Sequence, residues 1–203
     1  MSPTIPSKTI QLPEPRLDGD VSVERALRER RSVRSYKGEP LALAEIAQIL
    51  WSAQGITSAR GFRTAPSAGA LYPLEVYVVA GNVKNLPPAI YKYRPHAHTL
   101  LEIISGDRRS RLSRAALNQR AIRTASAAIL FCARYERTTG KYGQRGIRYA
   151  DMEIGHAAQN ACLQAIALGL HTVVIGAFRD DEVRAIVDLP ADEQVLYVVP
   201  VGR

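Results

Sequence analysis

The sequence predicts an α+β layer fold, with helices packed around a sheet. Three observations point there. Helical and strand-like stretches come in mixed order, helices first and strands scattered among them. One stretch, 127–133 (AAILFCA), is almost continuously apolar, as a strand covered on both faces must be. A long helical pattern over 148–168 follows it and stops at Gly169. No internal repeat is visible.

The elements follow in order. Residues 1–20 carry Pro3, Pro6, Pro13 and Pro15, which fix φ and remove donors, so they read as an extended arm. Ile5, Ile10, Leu12 and Leu17 would lay that arm on a partner surface. Residues 21–203 read as one domain. Ser22 caps a helix over 23–31, with Val23, Ala26 and Leu27 as its buried stripe. A second helix runs over 42–54, where Leu43, Ile46, Ala47, Leu50 and Trp51 recur at helical spacing before the stop at Gly55. A polar loop over 59–73 leads into a strand over 74–80. Residues 91–94 and 99–104 read as a hairpin. Asp107 opens a basic helix to about Leu117, and a short helical piece continues to Thr124. Residues 172–177 read as a strand and 195–201 as the last one. Between them Asp180 and Asp181 start a helix to Val187, acids placed where the helix dipole favours them.

Composition excludes several classes. The chain has 203 residues, 46% apolar and 23% charged, which rules out a disordered chain. No apolar run reaches about 18 residues, so no helix is expected to span a bilayer. The first residues lack a hydrophobic signal core, and a cytoplasmic location is expected. Lys and Arg number 27 against 19 Asp and Glu, and 22 of the 27 are Arg. The rigid guanidinium fork suits phosphate better than an ammonium does. Genome composition or a heat-tolerant source explains the excess equally well, and a basic surface also admits nucleic acid or acidic membrane. Cys132 and Cys162 have no metal-ligand spacing and read as core thiols in a reducing compartment.

Three constellations could carry chemistry. Arg30, Arg31, Ser32 and Arg34 could grip a phosphate, with Arg30 and Arg34 on one face if the helix turns through them. Alternatively they are cations favouring a helix C-terminus. The loop Ala65-Pro66-Ser67-Ala68-Gly69-Ala70 offers accessible backbone to a flat ligand or an anion, or is a plain turn before a strand. It is neither a dinucleotide fingerprint nor a Walker loop. Lys141 and Tyr142 are candidate general acids or bases inside a glycine-punctuated mobile segment, or a surface loop. His96 and His98 read as surface residues, His156 as polar packing, and no metal site is expected. Ala157, Ala158, Ala161, Ala165 and Ala167 give the long helix a small-residue face, for burial inside the domain or for a subunit interface.

These motifs together resemble the nitroreductase family. Arg30-Arg31-Ser32-Val33-Arg34-Ser35-Tyr36 is similar to its phosphate-binding segment. Pro66-Ser67-Ala68-Gly69-Ala70-Leu71-Tyr72-Pro73 resembles the second flavin segment in the form of the SagB-type, azoline-oxidising dehydrogenases. Tyr142-Gly143, Arg148-Tyr149, Glu153, Gly155-His156 and Gln159-Asn160 resemble that subgroup too, and Val174-Ile175-Gly176-Ala177-Phe178 resembles the third segment. The resemblance implies a nitroreductase-like fold, with a central mostly antiparallel sheet flanked by helices and a long dimer helix. It implies a homodimer with FMN at the interface, touched by both chains. Arg30, Arg31, Ser32 and Arg34 would then hold the phosphate and ribityl chain. Pro66, Ser67, Ala68, Gly69 and Leu71 would line the ring, Gly176 and Ala177 would approach N5, and Arg203 would stand in for the C-terminal phosphate contact. Lys141 and Tyr142 would handle protons.

The expected function is hydride transfer through flavin N5 in a ping-pong cycle on a small-molecule substrate. A nitro compound, a quinone or an azoline-type heterocycle would serve, with or without NAD(P)H as donor. The rivals are a flavin-binding module without turnover and a basic nucleic-acid-binding protein.

Overall fold

The computed structural model describes residues 8–203; Pro3, Ile5 and Pro6 of the predicted arm lie outside them. The first described residues of the arm pack on their own chain, while Leu17 stays exposed. They form strand β1 (Thr9–Gln11), paired antiparallel with β6 (Thr99–Ser105) of the same chain. Leu12 is buried there, and Ile10 packs against the core.

The sheet has seven strands in the order β1, β6, β5 (Ala89–Arg94), β3 (Leu74–Ala80), β7 (Ala127–Ala133), β9 (Gln194–Gly202) and β8 (His171–Thr172). Every neighbouring pair is antiparallel. Strands β2 (Leu41–Ala42) and β4 (Val83–Lys84) form a separate parallel pair. The period-two alternation of strands sorts the core into two layers. Val76, Val78, Ile129 and Phe131 face helices α2 (Leu43–Gln54) and α6 (Arg145–Ala167). Tyr77, Val79, Ala128 and Leu130 face α3 (Arg109–Ala115), α4 (Arg120–Thr124) and α7 (Asp180–Val187). All seven residues of β7 are buried, as its apolar run requires.

Five expectations change. Helix α1 (Val23–Glu29) buries only Ala26, while Val23 and Leu27 are 65% and 54% exposed. The alanine face of α6 is used inside the chain: Ala157, Ala158, Ala161 and Ala165 pack in the core that α6 shares with α2. What α6 turns outward is Ile147, Met152, Gly155, His156 and Gln159, so His156 is not a packing residue here. The glycine-punctuated segment is helix α5 (Glu136–Tyr142) rather than a loop. The strand expected over 172–177 shrinks to β8 and a single bridge, Ile175 to Val198.

Candidate active site

The first arginine cluster is built on extended chain, not on a helix. Helix α1 ends at Glu29, and Arg30 has φ −57° and ψ 122°. The chain then runs parallel to β8: Ser32 bridges Thr172, and the Val33 amide donates to the Thr172 carbonyl at 3.0 Å. Alternate residues of an extended chain share a side, so Arg30, Ser32 and Arg34 fall together and Arg31 falls opposite. Arg31 Nη1 donates to the carbonyls of Arg28 and Arg30, both at 2.8 Å, which is the helix-end role. Among the described residues neither Arg30 nor Arg34 forms an ion pair. Arg203 is already engaged: its guanidinium pairs with Glu45, whose carboxylate also accepts from the Ala42 amide at 2.7 Å to cap α2. Beyond Thr172 the chain exposes Val174, Gly176 and Ala177 on either side of the Ile175 bridge.

A second cluster forms around the loop between α2 and β3. Ala65 is fully buried and anchors it. The Tyr72 amide donates to Ser67 Oγ at 2.9 Å, and Ala68–Ala70 make a 3-10 turn. Gly69 sits at φ +62°, which favours glycine, and a side chain there would push on the tips of two others. A Cβ on Gly69 would lie 2.7 Å from the Tyr142 hydroxyl and 3.1 Å from Lys141 Nζ. Lys141 and Tyr142, far along the chain, thus close on the backbone of this loop. They stand in the last turn of α5, one exposed and one half-buried, with the Tyr142 ring edge-on to Tyr149 at 5.1 Å. Helix α5 is fixed near its start from two sides. Arg137 donates to the Tyr72 carbonyl at 2.8 Å and pairs with Glu75. Gly146 lets α6 approach so closely that a Cβ would sit 2.6 Å from the Thr138 backbone.

Beneath the loop lies a group that the motifs did not single out for a role. Glu153 of α6 is 2% exposed, and neither carboxylate oxygen has a hydrogen-bond partner among the described residues. Burial pushes its carboxyl up to about 7, against the opposing pull of Ser67, Arg63 and Gln54 nearby. With Pro66, Ser67, Ala68, Tyr149, Met152 and His156 it lines a cavity of about 270 Å³. Its sequence signal is an acid on the apolar stripe of Ala150, Ile154, Ala157 and Ala161. His98 also gains a role: it bridges the Tyr93 hydroxyl at 3.0 Å and the Pro13 carbonyl at 2.9 Å, fastening the arm. Both cysteines are free and buried, and burial raises both thiols.

The two clusters stay apart within one chain. Arg30 lies near Cys162 of α6; the start of the loop reaches α6 where Asn160 donates to the Thr64 carbonyl at 3.3 Å, and its Pro66–Ala68 segment meets α6 at Glu153. Glu153 and Cys162 are nine positions apart, about 14 Å of helix.

The fold is an antiparallel α+β sheet with, among the described residues, two arginines free of ion pairs (Arg30 and Arg34) beside one edge strand and a glycine loop under a lysine–tyrosine pair. Comparison with known proteins gives the family: the nitroreductase profile matches residues 27–203, and the chain belongs to the nitroreductase family of flavin-dependent oxidoreductases. It is 46% identical over 194 residues to a candidate nitroreductase of Methanocaldococcus jannaschii, covering 96% of each chain. A crystal structure of a candidate nitroreductase from Anabaena variabilis superposes with a TM-score of 0.85 at 30% identity, covering 97% of this chain and 42% of that one. The microcin B17-processing protein McbC of Escherichia coli is 31% identical over 63% of this chain and 48% of its own length. The structure of the E. coli microcin synthetase McbBCD complex matches with a TM-score of 0.78 at 27% identity, over 91% of this chain and 73% of that chain.

The residues fit a flavin mononucleotide. Arg30 and Arg34 are cations without a carboxylate partner among the described residues, as a phosphate would require. The loop at Gly69 and the chain at Gly176 and Ala177 present backbone without bulky side chains to a flat ring.

Proposed function

We propose that the protein is an FMN-dependent oxidoreductase of the SagB-type, azoline-oxidising kind, working as a homodimer on a small molecule. The observation that carries this reading is the meeting of Lys141 Nζ and Tyr142 OH over Gly69. The similarity to the microcin-processing protein supports it. Arg30, Ser32 and Arg34 of one copy hold the phosphate. Pro66, Ser67, Ala68, Gly69 and Leu71 of the second copy line the ring, beside the Gly176 and Ala177 backbone of the first. Bound FMN supplies hydride exchange at N5 in a ping-pong cycle. The Tyr142 hydroxyl, with the Lys141 ammonium beside it, moves the proton that accompanies each hydride. Arg137 holds the loop end against α5, so the pair stays at fixed distance from the loop. Val23 and Leu27, exposed on α1 next to α6, supply an apolar face for the second copy.

Nitro compounds and quinones remain substrates of this reading alongside azolines, because the proton pair serves all three. The test separates binding from chemistry. Tyr142→Phe and Lys141→Ala are expected to keep the flavin absorbance and lose about 10²–10⁴ in turnover, the usual yield of positioned acid–base catalysis. Unchanged turnover on a substrate that the parent converts contradicts the proton role.

A further inference from the structure

A cleft of about 730 Å³ is lined in part by Leu71 and Tyr72, at the end of the loop that meets the lysine–tyrosine pair. That is the size of a ligand site. Its lining brings four cations, Arg63, Lys92, Arg94 and Arg137, against one carboxylate, Glu75. Lys92 and Arg137 are accounted for. Both pair with Glu75, and Lys92 also reaches the buried Glu193 at 2.7 Å. Arg63 is not. Among the described residues its guanidinium forms no ion pair. Nη1 donates to neutral Gln54 at 2.7 Å, the group lies 4.5 Å over the Tyr72 ring, and Nε is buried without a partner. Arg94, at the exposed rim, has no ion pair among the described residues either.

A half-buried guanidinium needs a counter-charge. Two carboxyls are close enough to act on it: Glu75, which Lys92 and Arg137 already share, and Glu153, which makes no hydrogen bond to Arg63 and which burial holds toward its neutral form. The missing charge therefore belongs to something that enters the cleft. Guanidinium prefers planar oxyanions, and Tyr72, Tyr93, Leu74 and Leu101 offer flat and apolar walls.

We propose that this cleft binds the carboxylate of a flat, conjugated organic acid, with Arg63 as the anchor and Arg94 as the rim contact. The inference rests on the proposed function and deepens it, because Leu71 and Tyr72 continue the loop that meets Lys141 and Tyr142. The substrate class becomes one bearing an acid group.

The test is calorimetric titration of the purified protein with cinnamate and with its neutral counterpart, cinnamyl alcohol. Cinnamate is expected to bind about tenfold tighter, the worth of one charge-assisted hydrogen bond. Arg63→Gln should remove that advantage. Arg94→Gln, at an exposed position that leaves folding intact, should reduce it about threefold and weaken its salt dependence. Equal binding of acid and alcohol, or cinnamate affinity unmoved in both variants, overturns the inference. Flavin absorbance of the same samples reports on the proposed function separately. A colourless protein that prefers cinnamate keeps the anion site and sinks the flavin reading, and a yellow protein indifferent to the acid does the reverse.

Discussion

The side chains of Arg31 and Arg34 come from one short arginine run, yet the backbone gives them different work. Once the chain leaves α1 at Glu29, side chains alternate, so Arg31 folds back on the helix carbonyls while Arg30, Ser32 and Arg34 stay together. Arg30→Ala with Arg34→Ala should therefore weaken FMN binding by about a hundredfold, as read by fluorescence titration, because two charge-assisted hydrogen bonds to the phosphate disappear. Arg31→Ala should leave it nearly unchanged. Glu153 gives a second prediction at this scale. Its folded carboxyl titrates near 7, above the unfolded value of 4.5, so its contribution to stability is full below about 4.5 and is lost as pH rises to about 7. Glu153→Gln should remove that slope and gain on the parent by on the order of 3 kcal/mol at pH 8, measured by denaturant unfolding across pH. Parallel pH profiles would contradict it. The sequence displays these residues but not their partners. The pairing of Arg203 with Glu45 and the burial of Glu153 arise between distant segments, which periodicity does not report.

Elements with one dominant signal are legible in the sequence, and those set by packing are not. Strand β7 announces itself by apolar continuity and α7 by its leading acids, and both fall where the pattern puts them. Helix α5 is hidden by Gly140 and Gly143, residues of low helix propensity, because its stability comes from packing on α6. Gly146 is what permits that packing. Gly146→Val should drive a Cβ into the Thr138 backbone and cost about 3 kcal/mol or more, seen as a lower midpoint in thermal unfolding. Gly140→Ala, with open space around it, should instead stabilise by about 0.5–1 kcal/mol. The small residues of α6 mark a close-packing face, but sequence does not say which helix approaches it. Here α2 does.

For the whole molecule, the layer order and the antiparallel sheet follow from the sequence once the motifs are placed in the nitroreductase frame. The division of the candidate site does not. One chain carries the proposed anion grip beside β8, near Cys162, and a loop under Lys141 and Tyr142 whose Pro66–Ala68 segment meets α6 at Glu153, about 14 Å of helix away. Two copies, joined through the exposed apolar face around Val23 and Leu27, would bring the grip of each to the loop of the other. The most direct measurement is flavin content in mixed pairs. One chain carries Arg30→Ala and Arg34→Ala, and the other carries Ala68→Asp, a charge set against the ring. Each variant alone should lack FMN, and the doubly tagged mixed dimer should hold one FMN per pair, in the site whose grip and loop are both intact. A mixed dimer as colourless as its parents would contradict the shared site.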